Sequence, residues 1–335
     1  MTSFRDAVLE GTLEAAQIHA DSGHNQTTGA SVSAVDVFKF IDDRQIDLMF
    51  QKLEGLLGAY LRFQRPGILV TTERSLAIQR FTAAHELGHA VLKHSAGVDD
   101  DSILARTPFG GKHYDPREVA ADTFAAMFLM PEFLINAIAE RQKWDYQAIR
   151  QPEVIYQMSL RLGVSYEALT RTLVKHGVLQ KTECPSLLNV PVKRLKQSLL
   201  GTAVVPNDWK CNVWSLTEKD EHTAITAEPN DFFVVRLREM SGAGYLWDIH
   251  QIIQAGFQVV ADQRELYPGD AIGGDVERVL TTRATLLRPG LFTVEQNRPW
   301  DPEDVAAEFD IRLEIKTTEL GLLPDSVARM RALAA

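Results

Sequence analysis

The stretch Phe81-Thr-Ala-Ala-His85-Glu86-Leu-Gly-His89-Ala-Val-Leu92 decides how the first half of this 335-residue chain folds. Phe81, Ala84, Leu87, Gly88, Val91 and Leu92 recur at helical spacing and form one strongly apolar side, so the segment is read as a helix pressed into a core. On that helix His85 and His89 leave the same face and reach one ion. Imidazole nitrogen and carboxylate oxygen favour zinc in a tetrahedral arrangement, and a catalytic site keeps the fourth position open for water. Glu86, beside the first histidine, is placed to take the proton from such a water as it attacks a carbonyl. Gly88 costs about 1 kcal/mol of helix propensity relative to alanine, which predicts that another element approaches closely there.

A third ligand is expected from Asp115-Pro116-Arg117-Glu118-Val-Ala-Ala121-Asp122-Thr-Phe124 and the apolar residues up to Pro131. Asp115 can cap a second helix, Pro116 suits its first position and Pro131 closes it. Glu118 and Asp122 are spaced i,i+4 and share a face, with Glu118 toward the metal and Asp122 accepting the second N–H of a liganding histidine. Glu118 also stands where it would close a capping box on Asp115. His113 is a rival ligand, Asp115 a weaker one, and His94 reads as a helix-end histidine.

His85-Glu-Leu-Gly-His89, followed by Glu118-x-x-Ala-Asp122-x-Phe-Ala and Leu129-Met-Pro131, resembles the ImmA/IrrE group of zinc metallopeptidases over residues 30–180. The resemblance implies that His85, His89 and Glu118 bind one zinc ion per chain and that Glu86 is the base. It further implies a protein substrate, a transcriptional repressor or antitoxin-like regulator in phage-related or stress circuits.

Gly58–Phe63 and Gly67–Thr72 read as two strands around a turn at Gln64-Arg65-Pro66-Gly67. A free edge on this hairpin would pair with an extended substrate backbone; in the alternative reading the hairpin belongs to the core alone. Residues 151–178 form a helix-turn-helix pattern that breaks at Leu162-Gly-Val-Ser165. Only Arg161, Arg171 and Lys175 supply firm positive charge there, and the chain carries −10. Packing is therefore expected of this pair, and direct nucleic-acid binding is not.

After Cys184-Pro185 the pattern turns to short β-rich segments at 231–238, 257–261, 279–283, 290–295 and 309–315, which argues for a sandwich. Ser241-Gly-Ala-Gly244-Tyr245-Leu-Trp247, Ile272-Gly273-Gly274-Asp275 and Asn297-Arg298-Pro299-Trp300 resemble, in order and context, the three loops of chagasin-like inhibitors of papain-type cysteine peptidases. That resemblance, over residues 210–317, implies an immunoglobulin-like sandwich with a protein-binding end carrying Gly244, Tyr245, Trp247, Gly273, Gly274, Arg298, Pro299 and Trp300, and a protease as one partner. Two departures stand out. Glu239-Met-Ser-Gly-Ala replaces the usual Asn-Pro-Thr-Thr-like tip, and Asp275 replaces a small residue. In the alternative reading, Tyr245 and Trp247 belong mainly to the core and Arg298 braces the loops by stacking on an aromatic ring.

The expected fold is thus an α+β zincin-like metallopeptidase domain followed by an all-β immunoglobulin-like sandwich. The segments are a helix and linker at 1–30, the metal domain at 31–183, a linker at 184–209, the sandwich at 210–317 and a tail at 318–335. With 45% hydrophobic and 24% charged residues the composition is globular. No apolar run is read as a membrane span, no signal peptide is evident at Met1-Thr-Ser-Phe-Arg-Asp, and two cysteines suit a reducing compartment, so a cytoplasmic protein is expected. His113 and Tyr114 are candidates to stabilise an oxyanion. The rival to an enzyme is a binding or cysteine-peptidase-inhibitor protein whose zinc domain is structural or sensory.

Overall fold

Ser3 and Asp6 exchange side-chain and backbone hydrogen bonds in a capping box that starts α1 (Phe4–Asp21). A computed structural model of the chain describes residues 3–23, 33–62, 65–95, 115–202, 204–266, 274–284, 290–322 and 327, and the backbone of 97–100. After α2 (Val37–Asp43) come β1 (Asp47–Gln51), β2 (Leu56–Arg62), β3 (Pro66–Thr71), α3 (Leu76–Val91) and β4 (Gly97–Asp100). Five helices follow: α4 (Pro116–Leu129), α5 (Glu132–Gln142), α6 (Pro152–Leu162), α7 (Tyr166–Lys175) and α8 (Cys184–Leu188). Next stand α9 (Val192–Leu200) and the strands β5 (Val213–Thr217), β6 (Thr223–Ala227), β7 (Phe232–Glu239) and β8 (Leu246–Asp248). The chain continues through α10 (His250–Gln254), β9 (Phe257–Leu266), β10 (Val276–Ala284), β11 (Gly290–Arg298), β12 (Asp301–Ile315) and β13 (Gly321–Leu322).

In the amino-terminal unit α3 packs on a sheet of order β13-β1-β3-β2-β4, and α4 packs on α3. The expected hairpin is present, with Gly58 opposite Val70 and Arg62 opposite Pro66. Both its edges are paired, as in a core hairpin: β1 runs parallel to β3, and β4 takes the outer side of β2. The strand left at that side of the sheet is β4, which follows the H-E-x-x-H helix instead of preceding it. Side-chain alternation alone cannot order strands, because the backbone pairing is non-local.

Three segments expected outside the two cores are built into them. Helix α1 lies across α4, where His19 stacks on Phe128 and its Nε2 bonds the Phe128 carbonyl at 2.9 Å. The stretch 184–209 contains α8 and α9, whose Leu187 and Leu195 join the first core. The tail returns through β13, which pairs with β1 at Met49 and Phe50. Pro116–Gln142 also meets the length and hydropathy of a membrane span, unlike the sequence expectation, yet two thirds of its apolar window is buried in this core and the helix breaks at Met130-Pro131.

The helix-turn-helix pair is α6 and α7. Gly163 in the left-handed region ends the first helix and Ser165 caps the second. Its outward face docks the second unit. Gln157 pairs with β5 as a strand would, donating to the Val213 carbonyl at 2.9 Å and accepting the Ser215 N–H at 2.8 Å. Tyr156 accepts the Val213 N–H at 3.0 Å, and Arg161 reaches Asp220 at 2.8 Å. These bonds cover an edge that would otherwise be open to foreign strands.

The second unit is a sandwich of two four-stranded sheets, β5-β7-β10-β9 and β6-β12-β11-β8. Trp214, Phe233, Phe292 and Phe309 fill the space between them. β7, β9, β10, β11 and the end of β12 contain the five segments read from the sequence, save Asp231, which precedes β7. The short strands β5, β6 and β8 were not anticipated. Each is held by pairing to a longer neighbour, β5 and β6 in parallel and β8 antiparallel.

Candidate metal centre

α3 has no side-chain cap from its own Ser75. Its first turn is held by the rest of the chain: Glu228 of the sandwich accepts the Leu76 N–H. Gln79 donates to the Thr71 and Glu319 carbonyls at 3.0 and 3.3 Å and accepts the Glu319 N–H at 2.9 Å. Nine residues after Gln79, Gly88 lets α4 approach. A Cβ there would stand 3.1 Å from the Ala121 Cα and the Phe124 ring. This is the close approach that the glycine predicts, and it brings Glu118, one turn before Ala121, over the two histidines.

His85 Nε2 and His89 Nε2 lie 3.0 Å apart, and Glu118 Oε2 lies 3.3 Å from the first and 3.5 Å from the second. A tetrahedral zinc ion with bonds of about 2.0–2.1 Å sets its ligand atoms about 3.3–3.4 Å apart. Two imidazoles and one carboxylate in a triangle of that size fit such an ion. His85 is buried and Glu118 partly exposed, so the triangle opens on the Glu118 side. Burial opposes ionisation of Glu118, but the bonds and charge of His85 and His89 outweigh it and hold the carboxyl well below the usual carboxylate range. No capping box forms with Asp115, which caps α4 by accepting the Arg117 N–H. Its side chain also pairs with the Arg117 guanidinium at 2.9 Å.

Asp122 Oδ1 stands 2.8 Å from His85 Nδ1, as its position one turn beyond Glu118 predicts. Sequence reasoning missed the matching contact on the other histidine. His94, past the end of α3, places Nδ1 3.0 Å from His89 Nδ1. The chain turns back through Lys93 at φ +58°, and the His94 N–H bonds the His89 carbonyl, which carries the ring inward. A second missed residue is Gly58 on β2. A Cβ there would stand 2.5 Å from Thr82 Cγ2 and 2.8 Å from Glu86 Oε1, so its bare backbone leaves room for the carboxyl of Glu86, which is 1% exposed. A glycine beginning a β-rich run was the available signal. His113, Tyr114 and Gly273 lie outside the described residues.

The sandwich loops divide. Trp247 is buried and its Nε1 donates to the Arg238 carbonyl at 3.0 Å. Arg298 lies over the Tyr245 ring at 4.4 Å, and both reach Asp304 Oδ2, at 2.8 and 2.9 Å. Trp300 covers Gly244 and is 73% exposed, Pro299 is exposed, and Gly274 is partly exposed. The bracing alternative therefore describes Trp247 and Arg298, and Trp300 faces outward. Glu239, where the loop departs from the resembled family, is fully buried: it accepts from Arg264 at 2.6 Å, Arg278 at 3.1 Å and the Trp247 N–H at 3.1 Å. Asp275 holds Arg238 at 2.7 Å. Both departures are thus tied into ion pairs of the sandwich.

No curated protein matches the chain. Three solved structures resemble its carboxy-terminal β region. The crystal structure of the cysteine protease inhibitor EhICP2 from Entamoeba histolytica is 18% identical, over 33% of this chain and 100% of that one, with a TM-score of 0.28. The solution structure of amebosin is 20% identical, over 31% of this chain and 98% of that one, with a TM-score of 0.25. PbICP-C in complex with falcipain-2 is 12% identical, over 35% of this chain and 100% of that one, with a TM-score of 0.22. Residues 41–174, which hold the donor triangle, match the model of a peptidase family described as the IrrE N-terminal-like domain.

Proposed function

We propose that this chain is a zinc-dependent metalloendopeptidase of the cytoplasm that cleaves a regulatory protein of the repressor or antitoxin type. The observation that carries this reading is the triangle of His85 Nε2, His89 Nε2 and Glu118 Oε2 beside the buried Glu86. A zinc ion bound there supplies Lewis acidity, lowering the pKa of a water and polarising the peptide carbonyl. Glu86 takes the proton of the attacking water on a carboxylate oxygen and delivers it to the leaving amine, as the C–O bond forms and the C–N bond breaks. Asp122 and His94 hold the two imidazoles from behind so that both Nε2 lone pairs converge. The side of β4 that is unpaired among the described residues offers backbone groups to an extended substrate.

In this reading the sandwich selects the partner. Trp300 is turned to solvent, and its neighbours Tyr245, Arg298 and Asp304 are fixed to one another. A rigid aromatic projection suits a protein interface. It also supports a second reading, in which the same loops bind a papain-type cysteine peptidase. Inhibition of papain that disappears in Trp300→Ala would support that reading.

The test of the enzyme uses two variants. Glu118→Ala should lose most of its zinc by elemental mass spectrometry. Glu86→Gln should keep zinc and fold but lose cleavage of a partner trapped by the inactive protein. Unchanged cleavage by Glu86→Gln would remove that residue as the base.

A further inference from the structure

A cavity of about 1040 Å³ lies between the amino-terminal unit and the sandwich, bounded by the first turn of α3, the α6–α7 corner, β6 and the end of β12. None of His85, His89 and Glu118 lines it. Its charge is opposite to that of the chain: eight cationic and five acidic side chains line it, in a protein of net charge −10.

The acids are already engaged. Asp220 holds Arg161, Glu73 pairs with Lys52 at 3.2 Å, and Glu314 and Asp36 face Lys316 at 3.3 and 3.9 Å. Glu228 accepts the Leu76 N–H. Among the described residues, several of the cations are held by carbonyl oxygens alone. Arg80, 8% exposed, donates to the Val35 and Gly163 carbonyls at 2.6 and 3.0 Å. Lys196, 7% exposed, donates to the Trp209 carbonyl at 3.0 Å, and Arg141 to that of Glu221 at 3.2 Å. Asp36 acts on Arg80, and Glu228 and Asp231 on Lys196, only at longer range. Lys210 and Arg312 make no ion pair among the described residues. A buried cation without a paired anion is costly, and carbonyl dipoles compensate it only in part. Trp214, Ile138 and Leu313 add an apolar wall.

We propose that this interdomain cavity binds a small organic anion, a phosphate- or carboxylate-bearing molecule whose charged group meets Arg80, Lys196 and Arg141 and whose body lies against the apolar wall. Such a ligand touches both units and the start of the helix that carries His85 and His89. It therefore strengthens their docking independently of any peptidase activity.

Titration calorimetry of the full-length, zinc-loaded protein tests this at constant ionic strength. The probes are phenyl phosphate and benzoate, with benzyl alcohol as the neutral control. The expected result is saturable binding of one or both anions and none of the alcohol, the two arms separating phosphate from carboxylate. Lys196→Gln should weaken binding about tenfold. Lys210→Glu, an exposed site that leaves the core untouched, should weaken it about threefold or more. His85→Ala should leave it within about twofold, since the cavity is distinct from the donor triangle. Absence of saturable binding at tens of millimolar, binding equal in both lysine variants, or binding lost only in His85→Ala would each overturn the proposal.

Discussion

His94 Nδ1 lies 3.0 Å from His89 Nδ1, so one histidine of the donor triangle is braced by a third histidine while the other is braced by Asp122. When His89 turns its Nε2 lone pair toward the triangle, its Nδ1 carries the proton and donates it to His94. Burial first, then the charges of His89 and Arg117, push His94 down from 6.5 to about 4, so at neutral pH it offers a lone pair. His94→Ala should weaken zinc binding about 10–100-fold in chelator competition, with His94→Gln recovering part of the loss. Equal affinities in all three proteins would show that the bracing contact is idle.

The same depressed pKa has a signed consequence for stability. An unfolded His94 takes up its proton near 6.5 and the folded one near 4, so the unfolded state binds more protons between those values. The contribution of His94 is complete above about pH 6.5 and is lost as pH falls toward 4. In metal-free protein, the decline of urea-unfolding free energy across that window should be shallower for His94→Asn than for wild type. Parallel curves would assign the decline to other groups.

Gly58→Ala places a methyl within 2.5 Å of Thr82 Cγ2 and 3.0 Å of the Leu69 carbonyl, and the latter belongs to the paired strand and cannot retreat. A loss of about 1–3 kcal/mol is expected on denaturation. Because the same methyl meets Glu86 Oε1, kcat should fall while zinc content stays near one per chain. Loss of zinc in parallel with kcat would mean that the helix itself had shifted.

Arg161 and Asp220 are 9% and 2% exposed at their side chains and join the two units. Asp220 also accepts from Gln142 at 2.7 Å. Arg161→Ala leaves a buried carboxylate without its cation, which should cost about 3–5 kcal/mol and open the segment around 204–212 to limited proteolysis. Wild-type protease resistance in the variant would place the docking strength elsewhere, in Gln157 and Tyr156.

What the sequence determined by itself is local and periodic. His85, Glu86 and His89 share a helix, and the i,i+4 pair Glu118 and Asp122 shares another, so the order of roles follows from helical geometry once Asp115, Pro116 and Pro131 fix its ends. The β-rich character of the second half was equally visible, because the long strands keep their alternating or continuous apolar pattern. Tertiary structure decided what depends on residues distant in the chain. The turn at Lys93 that carries His94 back to His89 is local, but it breaks the helical period and so left no pattern to read. Gly58 gains its meaning only where β2 crosses α3, and β4 becomes the edge strand only through non-local pairing. The tail and α1 are short or amphipathic segments whose partners lie more than 100 residues away, so no periodicity reveals where they pack. The excess positive charge of the interdomain cavity is likewise invisible in a chain of net −10, since folding gathers Arg80, Arg141 and Lys196 from separate helices onto one surface.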